Sequence, residues 1–118
     1  MLLVMLSSAA FGQNLRNRTV LGQAHAQQQV KQAVTDTAKL AFPTRLLPTQ
    51  ATAVCVAEPI LFGLYGKRNI TRERPYEVYL VDGSWYIAGT LPKGYRGGVF
   101  EIIISAKDSK VIFLAHGR

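Results

Sequence analysis

Lys93, Tyr95 and Arg96 fall within ten residues, Gly89 to Gly98, that also hold four glycines and one proline. Two cations around an amphipathic ring are the side-chain set enriched at protein interaction hot spots, and no nucleophile, base or ligand pattern surrounds them. Glycines supply backbone conformations that residues with a Cβ avoid, and Pro92 fixes one dihedral, so the three side chains are presented in a defined geometry. The chemistry this implies is non-covalent recognition. For Tyr95 two readings stand side by side: an anchor inserted into a partner, or a ring folded back over the open end of the core.

Catalytic arrangements are poorly represented elsewhere. There is no Gly-x-Ser-x-Gly elbow, no phosphate-binding glycine loop ahead of a helix, and no His/Asp/Glu grouping at metal-ligand spacing. His116 stands in its strand without an acid, His25 lies in a polar helical segment, and Glu77 and Glu101 approach each other only if both point to one face of the sheet. The single cysteine, Cys55, has no partner for a disulfide and is expected as a buried small hydrophobe. No catalytic residue, metal site or cofactor is assigned.

The elements that carry the glycine-rich loop are strands. Period-two patterning over 76–81 and 84–90 flanks Asp82-Gly83, a strong signal for a two-residue type I′ hairpin, and 99–105 with 111–115 flanks a longer turn. A two-residue loop sets the register: Val81 opposes Ser84, Leu80 Trp85, Tyr79 Tyr86 and Val78 Ile87. One face then carries Val78, Leu80, Trp85 and Ile87, continued by Phe100, Ile102 and Ile104 or by their neighbours. The other carries Glu77, Tyr79, Tyr86 and Ala88, a surface that is solvent-exposed, covered by an N-terminal helix, or used for docking. Thr49 caps a helix running to Gly66, with Pro59 inside it marking a kink or a junction of two helical segments. The predicted fold class is α+β, a helix packed on a four-stranded antiparallel meander, with an additional N-terminal helix over about 22–41 whose apolar positions are mostly Ala and Val.

A meander places alternate connections at opposite ends of the sheet. Lys67, Arg68, Arg72, Arg74, Lys93 and Arg96 therefore share one end with His116 and Arg118 against one acid, Glu73. Such a concentration attracts an acidic surface; taken one by one the cations are more simply solvated loop residues, and for the cluster as a whole the two readings stand level. The proposed contact residues are Lys93, Tyr95, Arg96, Arg68, Arg72 and Arg74, with Tyr79 and Tyr86 on the second face. The net charge of +7, from 14 basic and 7 acidic residues among 118, points the same way. An acidic protein fits better than nucleic acid, because zinc-finger spacing and RNP-type motifs are lacking.

Residues 1–12 carry no charge and close on small residues, the pattern of a secretory signal peptide cut after Gly12; a short buried apolar element is the alternative. Export places the mature chain in the periplasm, with no stable membrane insertion. The expected organisation is thus 1–12 signal peptide, 13–48 helical and linker region, and 49–118 an α+β domain. A module of this size buries only about 60% of its unfolded surface, so a homodimer or docking of the N-terminal helix is a plausible supplement.

From Leu47 to about Phe113 the residues carry a family resemblance. Leu-Pro-Thr-x-x-Thr-Ala opens the helix, Leu-Tyr-Gly closes it, and Arg-Pro-Tyr enters the first strand. Asp-Gly-x-Trp and Gly-Thr-Leu-Pro-Lys-Gly-Tyr-Arg-Gly-Gly-Val-Phe follow. This run resembles bacterial immunity proteins with a nuclear-transport-factor-2-like (cystatin-like) fold. The resemblance implies a small module that binds and neutralises a cognate toxin of a polymorphic toxin system, with no catalytic motif to carry over. It leaves two alternatives: a small-ligand or peptide-binding module, and an isomerase-type enzyme. The enzyme would need a buried acid or histidine, for which Glu58, Glu77, Glu101 and His116 are the candidates.

Overall fold

The computed structural model describes residues 16–35 and 45–117, and the chain divides into two units at 41/42. The predicted signal peptide, residues 36–41 of the predicted first helix, and Arg118 lie outside the described residues. In the first unit, helix α1 spans Gln23–Thr35 and buries none of its residues.

Near the start of the second unit's described part, the Leu46 and Leu47 amides donate to the carbonyls of Lys107 and Ala106 at 3.0 and 2.9 Å. Leu47 is buried, and its carbonyl accepts the Trp85 indole N–H at 2.8 Å. Helix α2 (Gln50–Tyr65) follows, capped by Thr49, whose Oγ1 accepts from the Thr52 amide at 3.2 Å. The helix runs unbroken through Pro59. Pro59 and Cys55, the residue whose carbonyl loses its donor there, are both on the exposed face, so water can replace the missing bond. Cys55 is thus exposed and not a core residue. The buried ridge is Ala53, Ala57 and Leu61, spaced four apart, a pattern that an almost wholly apolar helix does not disclose in sequence. Gly66, at φ 92°, ends α2 and leads into the short helix α3 (Lys67–Thr71).

Strands β1 (Glu77–Val81), β2 (Ser84–Ala88), β3 (Phe100–Ser105) and β4 (Val111–His116) form one antiparallel sheet in sequential order. The β1–β2 register is the predicted one in every pair, and Asp82 and Gly83 both have positive φ, 50° and 79°, as a type I′ turn requires. A bulge between Ile103 and Ile104 shifts the β3–β4 register. Trp85, Ile87, Phe100, Ile102 and Ile104 join the α2 ridge, Ile70 and Leu47 in one core. Fully burying an aliphatic side chain contributes about 1.5–3 kcal/mol, so this cluster is the main source of cohesion. Leu80 is the exception on that face: on an edge strand it remains 42% exposed. Ala88 also departs from expectation, being buried on the opposite face in the row that holds Glu77 and Glu101.

Candidate functional site

The meander brings the α2–α3 turn, the β2–β3 connection and the end of β4 to one end of the sheet. Its organising group is Glu73, only 5% exposed. One carboxylate oxygen accepts the Phe100 amide at 2.8 Å, and the other faces His116 Nε2 at 2.7 Å. The Glu73 backbone carbonyl accepts the Thr90 amide at 2.8 Å. Gly89 makes this possible, since a Cβ there would overlap the Glu73 side chain. Part of the glycine-rich block therefore makes room for a buried acid, a role with no local signature in the sequence. Glu73 and His116 are 43 positions apart, and only their convergence at one end of the sheet hinted at the pairing.

His116 is held on both sides. Its Nδ1 lies 2.6 Å from the Gly117 carbonyl, and its ring packs against Tyr65 with centroids 5.0 Å apart. Both nitrogens face acceptors, so only the imidazolium satisfies both. Burial lowers the His116 pKa, but the hydrogen bonds to Glu73 and the Gly117 carbonyl outweigh it and hold the pKa above the usual histidine value. Neither nitrogen is left to take a proton from a substrate, which makes the pair a brace between β4 and the chain after α3 rather than a general base.

Beside this brace opens a cleft of about 660 Å³. Tyr65, Asn69 and Arg72 line one side and Leu91, Pro92 and Tyr95 another, with His116 among the lining residues. Asn69 donates to the Tyr65 carbonyl at 2.8 Å and accepts from Arg72 Nη2 at 2.6 Å, which ties the guanidinium to the end of α2. The Tyr95 amide donates to the Pro92 carbonyl at 3.1 Å across a turn with Gly94 at φ 87°, and the Tyr95 side chain is 71% exposed. Tyr95 is therefore not folded over the core. Lys93 and Arg96 are exposed in the same loop, and Arg68 is exposed on α3.

The remaining contact candidates lie elsewhere. Arg74 is committed to Glu58 through two hydrogen bonds of 3.0 and 2.7 Å. Tyr76 donates to the same Glu58 oxygen at 2.6 Å, and burial together with that bond pushes the Tyr76 pKa up to about 12. Tyr79 and Tyr86 are stacked at 6.4 Å on the sheet face away from α2, donating to Glu77 and Glu101 at 2.9 and 2.5 Å. Glu101 and partial burial push the Tyr86 pKa up to about 12. Glu77 and Glu101 do share a face, flanking Ala88, but each serves a tyrosine hydroxyl. The eight candidates thus separate into a cleft end with Lys93, Tyr95, Arg96, Arg68 and Arg72, an Arg74–Glu58 pair, and a tyrosine pair on the far face.

Among the described residues no helix is long and apolar enough to cross a membrane. Two curated proteins of Escherichia coli (strain K12) are similar to the chain. Uncharacterized protein YhhH is 32% identical over 74 residues, 62% of this chain and 58% of that protein. Uncharacterized protein YbbC is 34% identical over 71 residues, 59% of this chain and 58% of that protein. The chain thus spans less than two thirds of the length of the curated relatives it matches. No solved structure matches it. The model of the NTF2 fold immunity protein family matches residues 52–118, a stretch that contains most of α2, the whole sheet and the cleft. With more than half of the chain matched and a helix packed on a four-stranded antiparallel sheet, the chain belongs to the NTF2 fold immunity proteins.

Proposed function

We propose that this protein binds a cognate bacterial toxin and neutralises it by non-catalytic contact, through the basic end of the sheet. Family membership carries the reading, and the charge distribution supports the choice of surface. Arg68, Arg72, Lys93 and Arg96 are exposed there, and among the described residues none of them has a carboxylate partner. Glu73, the acid that could have offset them, is buried and bound to His116. An acidic toxin surface would find uncompensated positive charge with an exposed aromatic ring at its centre, which favours both steering and anchoring. The apolar, uncharged start of the sequence supports export and neutralisation in the periplasm. The test is affinity capture of the product of the adjacent open reading frame. Binding should weaken, and become less salt-sensitive, when Lys93 and Arg96 are both changed to Glu; unchanged affinity would remove this surface from the account.

The small-ligand alternative is favoured by one observation, the cleft, whose volume lies within the range of ligand sites. Under that reading a ligand raises the melting temperature in the absence of any protein partner. Isomerase-type chemistry has less support, since Glu58, Glu77, Glu101 and His116 are all engaged in hydrogen bonds.

A further inference from the structure

Glu73 and Arg72 are neighbours in sequence, yet they form no ion pair. Both Glu73 oxygens are taken, one by the Phe100 amide and one by His116. Arg72 is left as a cation at the cleft, held by Asn69, which is itself anchored on the Tyr65 carbonyl. A guanidinium fixed in this way loses little further freedom on meeting a carboxylate, and its remaining N–H groups are available for it. The facing wall is apolar and aromatic, made by Leu91, Pro92 and the body of Tyr95. Lys93 and Arg96 carry the positive charge beyond the cleft along the same loop.

We propose that the cleft is the anchor pocket for the partner: it takes one large apolar side chain, best an aromatic one, from an acidic segment whose flanking carboxylate meets Arg72. This inference rests on the toxin-binding reading and makes it specific. Positive charge alone would accept any acidic surface; an apolar slot beside one fixed guanidinium accepts an aromatic residue next to an acid and rejects the same segment without the ring. A lone small carboxylate would use Arg72 but leave Lys93 and Arg96 without a counterpart, and so the charge pattern favours an extended acidic peptide over a free ligand. Tyr95 acts as a wall of the pocket and Asn69 as a positioning residue for Arg72.

The experiment is a titration of the isotope-labelled full chain, followed by amide shifts, with three peptides: acetyl-Asp-Asp-Phe-Asp-Asp-amide, its Phe-to-Ala form, and its Asp-to-Lys form. The aromatic acidic peptide should give saturable shifts centred on Arg72, Tyr95 and His116, and bind at least roughly tenfold more tightly than either control. Tyr95→Ala and Arg72→Gln, both at exposed positions and so not expected to unfold the chain, should each weaken it about fivefold or more. Equal binding of the Phe and Ala peptides, shifts centred elsewhere, or no saturable shift at the cleft would overturn the inference. N-acetyl-phenylalanine serves as a fourth probe: if it binds as tightly as the acidic peptide, the site reads a free aromatic carboxylate and the peptide proposal fails. Toxin neutralisation by the wild-type chain is scored separately in cells. Neutralisation that survives Tyr95→Ala with Arg72→Gln would sink the pocket but leave the immunity reading standing, whereas the absence of neutralisation by wild type would sink that reading whatever the peptides do.

Discussion

The buried Glu73 carboxylate explains why position 89 carries no side chain. A Cβ on residue 89 would occupy the space of the Glu73 side chain, so Gly89→Ala must displace an acid that holds the Phe100 amide and His116 together. Overpacking of this kind costs about 1–3 kcal/mol, and chemical denaturation should show a loss in that range. His116 gives a second outcome, with its sign fixed by the raised pKa. The folded state holds the proton more tightly than the unfolded chain, so the stabilisation is fully present below the unfolded histidine pKa of about 6.5 and is lost as pH rises through the folded value. The melting temperature of wild type should therefore fall relative to His116→Gln as pH rises from the unfolded histidine value through the raised folded one; parallel profiles would show that the pair does not couple to folding. Little of this could be read from sequence, where Glu73 stood as the one acid among the cations of that end and His116 as a residue with no acid in its own strand. A buried ion pair across 43 positions leaves no local pattern, and the glycine that accommodates it looked like part of a turn.

Local elements were more legible, for identifiable reasons. The Asp82-Gly83 turn admits one register, so the pairing of Leu80 with Trp85 and of Tyr79 with Tyr86 followed from loop length alone. The Thr49 cap was readable because Pro48 and the apolar run behind it leave few other starts for α2. What could not be read was which face of α2 is buried, since nearly every position is apolar; Cys55 was misplaced on that account. Pro59 sits on the exposed side of an otherwise continuous helix, where it withholds a donor from the Cys55 carbonyl. Pro59→Ala restores that donor at the expense of a more flexible unfolded chain, and should stabilise the protein by about 2 kcal/mol in urea titration. A loss of stability would mean that Pro59 is used by the fold and not merely tolerated. The Trp85 indole makes a further link, holding the segment before α2 through the Leu47 carbonyl at 2.8 Å. Trp85→Phe leaves that carbonyl without its donor, a loss of about 1–3 kcal/mol.

Across the whole molecule, topology turns a modest excess of basic residues into a polarised one. Sequential strand order alone was enough to predict that Arg68, Arg72, Lys93 and Arg96 share an end, and the fold has that order. It was not enough to show that Arg74 is neutralised by Glu58, or that a cleft opens beside Tyr95, because both depend on side chains from α2 whose facing the sequence leaves open. The proposed partner surface is the cleft end, and Tyr79 and Tyr86 lie on a separate face. The decisive measurement is growth of cells that express the product of the adjacent open reading frame in the periplasm, with and without this protein carrying its own N-terminal segment. The account predicts toxicity that is relieved by the wild-type chain and restored by Lys93→Glu with Arg96→Glu, at unchanged protein level. Toxicity that the wild-type chain does not relieve would contradict it.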